Sequence, residues 1–94
     1  KIMLPEKYEE KDSLVVPSYF IDTNHHMNNT RYVQVAMEYV PKVFRTMEVR
    51  VEYKKAAMCR DVSVPHVTIE DPRVTVALCA PDGQPYAVVV FLKA

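Results

Sequence analysis

Hydrophobic and polar positions alternate most cleanly over residues 47–53, where Met47, Val49, Val51 and Tyr53 interleave with Glu48, Arg50 and Glu52. Successive strand side chains point to opposite faces, so this period of two predicts a strand with one apolar and one charged face. Residues 62–70 begin apolar on one phase (Val62, Val64) and resume on the other (Val67, Ile69), which predicts a strand with a bulge or edge irregularity at Pro65 and His66. Val74, Val76 and Leu78 mark a further strand, and residues 86–92 are an almost unbroken apolar run. Residues 80–85 carry the single Gly of the chain and supply the turn that makes a hairpin of these last two strands.

Upstream the pattern changes. Residues 13–21 are apolar and β-rich and read as a first strand, with Pro17 demanding an edge position because it has no N–H to donate. Over residues 30–40 the apolar side chains cover most of a helical circumference and leave a narrow polar strip at Arg31, Gln34 and Glu38, so a long, largely buried helix is expected, stopped at Pro41. Asn28 or Asn29 is placed to cap it. Residues 1–12 are rich in charge and read as a linker or irregular arm, which sets the domain at residues 13–94. One helix followed by four successive strands, with no second helix for parallel crossovers, predicts an α+β fold in which an antiparallel sheet wraps around the helix, the hotdog architecture.

Composition narrows the setting. A chain of 94 residues, 49% hydrophobic and 26% charged with one Gly, is globular and large enough for one core. Twelve basic residues balance twelve acidic ones, so no overall field draws the chain to nucleic acid or to an anionic membrane. No apolar run approaches the ~20 residues of a bilayer span and no signal pattern opens the sequence, which leads us to expect a cytoplasmic protein. Lys1 in place of an initiator Met fits a processed product or a segment of a longer chain. Cys59 and Cys79 have neither CxxC nor zinc-ligand spacing and read as reduced packing residues. Lys42, Arg45, Lys54, Lys55 and Arg60 are candidates for a basic surface facing an acidic partner, or for charges that simply solvate strand ends.

The chemistry concentrates ahead of the helix. Between Asp22 and Asn29 an acid, three amides and two imidazoles fall within eight residues. Imidazole exchanges protons near neutral pH, and N–H groups at a helix start are candidates to stabilise an oxyanion near Asn28 and Asn29. The same residue types also suit turns and helix caps. His25 and His26 are adjacent and lack a third ligand at a readable spacing, so no metal is expected.

Asp22, Asn24, His26, Asn28, Asn29 and Tyr32 together spell D-x-N-x-H-x-N-N-x-x-Y, and the sequence here resembles the acyl-acyl carrier protein thioesterase family, in its C-terminal hotdog domain. The resemblance continues through Ala36, Glu38 and Pro41 into residues 51–55. It implies hydrolysis of a fatty acyl thioester on acyl carrier protein, or on coenzyme A, with release of free fatty acid and without metal or organic cofactor. Carried over by position, His26 assists proton transfer to or from the attacking water, Asn24 orients water or the thioester carbonyl, and Asp22 holds the set in place, while Asn28, Asn29 and Tyr32 bind substrate. It also implies a second hotdog as partner, in tandem or as a homo-oligomer.

Two positions depart from the family. Its pattern Y-K-K-E-A reads here Tyr53-Lys54-Lys55-Ala56-Ala57, so the expected catalytic Glu is Ala56, and a Gly common a few residues on is replaced by Arg60. Three alternatives follow: a rearranged site with Asp22 or His26 as base, an acid from another subunit, or a catalytically impaired module that binds acyl chains or serves as a dimerisation half. Dehydratase chemistry, which hotdog folds also host, is a further reading.

Overall fold

The computed structural model describes residue 2 and residues 4–22 and 26–93. Among them the chain forms six strands, one 3-10 turn and one α-helix: β1 (Glu9–Glu10), β2 (Leu14–Val15), the 3-10 turn (Ser18–Phe20), α1 (Asn29–Met37), β3 (Thr46–Tyr53), β4 (Val62–Glu70), β5 (Arg73–Cys79) and β6 (Pro85–Lys93). The sheet runs β1-β4-β5-β6-β3, every pair antiparallel, with β2 sharing the β1 edge of β4. This is the expected hotdog arrangement of one helix against one antiparallel sheet.

The long strands keep the predicted places, and two of the irregularities move. No register shift interrupts the β4–β5 pairing from Val64 to Glu70. Pro65 instead falls between the two short pairings on the outer edge, β2 at Val62 and Ser63 and β1 at His66 and Val67, where its missing N–H breaks no ladder. The change of apolar phase along β4 therefore reflects two covered faces. The first predicted strand shortens to Leu14–Val15: Pro17 diverts the chain into the 3-10 turn, where Phe20 N–H bonds Pro17 O at 3.0 Å.

The helix is shorter and more exposed than its pattern predicts. It spans nine residues, Asn29–Met37, and the amides of Glu38, Tyr39 and Val40 then bond three residues back, tightening the chain ahead of Pro41. Tyr32, Val35 and Ala36 are buried against Val74, Val76, Leu78, Val89 and Phe91 of the sheet, whereas Met37 is exposed. Helix-side residues of β5 and β6 form the main core. Their outer-face neighbours Ala77, Cys79 and Val88 form a second, smaller cluster on which Ile2 packs.

That outer cluster explains the unbroken apolar reading of β6: a strand covered on both faces has no polar phase. The cover comes from residues ahead of Ser13. Ile2 N–H bonds Glu52 Oε1 at 2.7 Å, Lys7 O accepts from Thr68 Oγ1 at 2.7 Å, Lys11 N–H bonds Pro65 O at 2.9 Å, and Tyr8 stacks on His66 with ring centroids 4.1 Å apart. Cys79 is buried there and burial, with Asp82 nearby, pushes its thiol up to about 11, the behaviour of a packing residue. Cys59 differs from expectation in being exposed.

β3, the cleanest alternation in the sequence, has its apolar face largely uncovered: Met47 is 73% exposed and Val49 42%. The strand sits at the sheet edge next to β6, where α1 meets it at Tyr53 but leaves Met47 and Val49 uncovered. Met37, Val40, Phe44, Val49 and Phe91 line an open apolar hollow of about 270 Å³ beside it.

Candidate functional site

The segment ahead of α1 folds back on itself. Ile21 and Met27 form an antiparallel bridge, Asp22 N–H bonds His26 O at 3.0 Å, and Asn28 N–H bonds Phe20 O at 2.9 Å. Asn28 is extended, and its side-chain oxygen accepts from Thr30 N–H at 2.9 Å, so of the two candidate caps it is Asn28 that serves. Arg31 N–H is taken by Asn28 O at 2.9 Å. The Asn29 N–H is thus the uncommitted donor of the first turn among the described residues.

A distant part of the chain completes the site. Residues 54–61, which carry the chain from β3 to β4, are stitched to the loop by Met27 N–H to Ala57 O (2.8 Å) and to the helix by Ala57 N–H to the Tyr32 hydroxyl (2.8 Å). Tyr53 OH reaches Asn29 O at 3.4 Å, and its ring meets Tyr32 edge-on at 5.6 Å. Burial pushes the Tyr32 phenol up from its ordinary value against the opposing Ala57 N–H bond, so the hydroxyl stays neutral. Arg60 lies at φ 72°, the left-handed region that glycine enters at least cost, which accounts for the glycine of the family pattern at this place.

These bonds enclose a cleft of about 470 Å³ lined by Asp22, His26, Met27, Asn28, Asn29, Tyr32, Tyr53, Lys54, Lys55 and Ala56. Asp22, His26, Asn28, Asn29 and Tyr32 of the candidate set are therefore gathered on one cavity, together with the position where the family pattern has Glu. Asn24 and His25 lie outside the described residues. His26 is exposed; Tyr32 is 3% exposed, with its oxygen engaged by the Ala57 amide. Asp22 and His26 supply the carboxylate and the imidazole of the lining. Glu52, the nearest acid along the strand, belongs to the opposite sheet face and is held below the ordinary carboxylate range by its bonds to Ile2 N–H and Lys54. No group of three metal-ligating side chains occurs among the described residues.

Sequence reasoning did not single out Tyr53 or Met27 as site residues. The alternation of residues 47–53 marked Tyr53 only as an apolar face residue, and no local signal pairs Met27 with Ala57.

Tyr32→Phe is expected to leave the Ala57 N–H buried and unpaired at a cost of about 1–3 kcal/mol. The check is a lower denaturation midpoint at unchanged slope; an unchanged midpoint would show that this hydroxyl does not hold residues 54–61 in place.

Comparison with known proteins bears on this cavity. The family model described as the acyl-ACP thioesterase C-terminal domain matches residues 4–70. A search of curated proteins finds no match. Among solved structures, an acyl-ACP thioesterase from Bacteroides thetaiotaomicron superposes with a TM-score of 0.80 at 14% identity over 99% of this chain. The chain spans 42% of that protein's length. A Staphylococcus aureus protein in complex with CoA gives 0.81 at 20% identity, covering 94% of this chain and 75% of its own. A Streptococcus mutans protein bound to acetyl CoA gives 0.74 at 11% identity, covering 100% and 94%. At these identities the likeness is one of fold.

Proposed function

This chain belongs to the acyl-ACP thioesterase C-terminal domain family, and from that premise we propose that it hydrolyses fatty acyl thioesters by a water attack organised by Asp22, Asn24 and His26. The observation that carries the reading is the single cleft on which Asp22, His26 and the helix start converge. Water adds to the thioester carbonyl carbon as His26 takes its proton. The Asn29 N–H, without a bond among the described residues, stabilises the oxyanion in this reading. Collapse breaks the C–S bond, and the proton returns to the departing thiolate, leaving a free fatty acid and a thiol. Substrates are acyl carrier protein or coenzyme A thioesters, the latter in keeping with the CoA and acetyl CoA bound by the two fold relatives.

Thiol release from a panel of both thioester classes tests this. Release by the purified protein supports hydrolysis. Its absence with a folded protein favours the second reading, an acyl-binding or dimerisation module, for which Ala56 is the specific evidence.

The same proposal includes a second hotdog unit as partner. The uncovered β3 edge with Met47 and Val49, and the hollow beside it, leave apolar surface and unpaired backbone groups that another sheet edge would satisfy. Sedimentation at micromolar concentration is expected to give dimers; a monomer alone would count against self-association.

A further inference from the structure

A second hollow, of about 280 Å³, adjoins the reaction cleft. Asp22 and Asn28 line both, so they mark the shared wall, while Tyr19, Phe20, Arg31 and Gln34 belong to the second alone. Arg31 is two residues beyond Asn29 on the helix that opens the reaction cleft. Its guanidinium carbon lies 5.1 Å from the Phe20 ring centroid and 5.8 Å from that of Tyr19, and Nη1 donates to Gln34 Oε1 at 3.0 Å. Among the described residues no ion pair involves Arg31.

A guanidinium within cation–π range of two mutually perpendicular rings and bonded at one nitrogen is a restrained planar donor set, with most of its N–H groups unspent among the described residues. Such a fork matches a phosphate, whose oxygens accept two parallel bonds. The amide of Gln34 adds a neutral donor on the same wall. The rim is finished by Tyr19, 72% exposed. On the other flank of the reaction cleft the cations are otherwise engaged: Lys54 pairs with Glu52 at 2.9 Å, and the Lys55 ammonium sits 5.2 Å from the Tyr86 ring centroid.

We propose that Arg31 anchors the phosphate of a phosphopantetheine-borne acyl thioester, with the pantetheine arm running past Asp22 and Asn28 into the reaction cleft. This deepens, and rests on, the thioester reading of that cleft. The phosphate is common to carrier-protein and coenzyme A substrates, so Arg31 recognises what the two share.

Calorimetric binding of S-dodecyl thioethers of phosphopantetheine and of pantetheine tests the anchor without requiring turnover. The phosphorylated ligand is expected to bind about tenfold tighter or more to the parent protein. In Arg31→Gln that advantage is expected to vanish while affinity for the pantetheine ligand stays within about twofold. A variant that had lost its fold would lose both. Equal binding of the two ligands by the parent, or an advantage that survives Arg31→Gln and disappears in Lys55→Ala, overturns the anchor and leaves the thioester reading intact. Binding of neither ligand overturns the thioester reading and the anchor with it. Coenzyme A and carrier-protein thioethers identify the source: whichever binds tighter than free phosphopantetheine thioether names it, and in either case the proposal requires the phosphate's share to be lost in Arg31→Gln.

Discussion

Replacing His26 with alanine is expected to lower kcat for thioester hydrolysis by ~10² to 10⁴-fold, the span typical of removing a general base, with KM changed only a few-fold. The loss would be chemical rather than structural. His26 holds the loop through its main-chain oxygen, which accepts from Asp22 N–H, and the neighbouring bonds Met27 N–H to Ala57 O and Asn28 N–H to Phe20 O involve no His26 side-chain atom. The exposed imidazole contributes little packing, so the melting temperature of His26→Ala should match the parent. Hydrolysis at the parental rate would exclude His26 as proton carrier and pass the role to Asp22, which Asp22→Asn would then test.

Ala56→Glu should act in the opposite direction, raising kcat by ~10² to 10⁴-fold if a carboxylate at this point supplies the general base that the family pattern places there. The backbone around it is already held. Ala57, the next residue, has its N–H on the Tyr32 hydroxyl and its carbonyl on Met27 N–H, so a new side chain at position 56 starts from a pinned main chain on the wall of the cleft. Ala56 is exposed, so the substitution costs within about 0.5 kcal/mol of stability. Creation or a large rise of hydrolysis would identify the native cleft as a site that lacks its base. An unchanged rate in an active protein would show that the proton passes entirely through Asp22 or His26.

Legibility in the sequence followed the range of the forces involved. Strand and cap signals rest on neighbours a few residues apart, and there the reading held: β3 to β6 lie where the alternations put them, and one of the two candidate caps, Asn28, caps α1. It failed where a distant segment decides the outcome. Residues 13–21 have strand composition, yet only Leu14 and Val15 pair with β4, because Pro17 turns the chain away from its edge. Met47 and Val49 have the spacing of core residues and remain exposed, because burial needs a facing layer and α1 does not extend that far.

The sequence by itself determined the antiparallel α+β class, a helix capped at Asn28 or Asn29 and a dense polar motif between Asp22 and Asn29, since each is written in local periodicity or in side chains that act on adjacent backbone. Only the tertiary structure decided that Ala56 shares a cleft with Asp22 and His26, that residues ahead of Ser13 cover the outer sheet face, and that Arg31 rests on Phe20 and Tyr19 beside the reaction cleft. Most of those contacts join segments tens of residues apart. They form where the strand pairings and the bonds from Ala57 to Met27 and Tyr32 bring the chain together, which no window of neighbouring residues encodes.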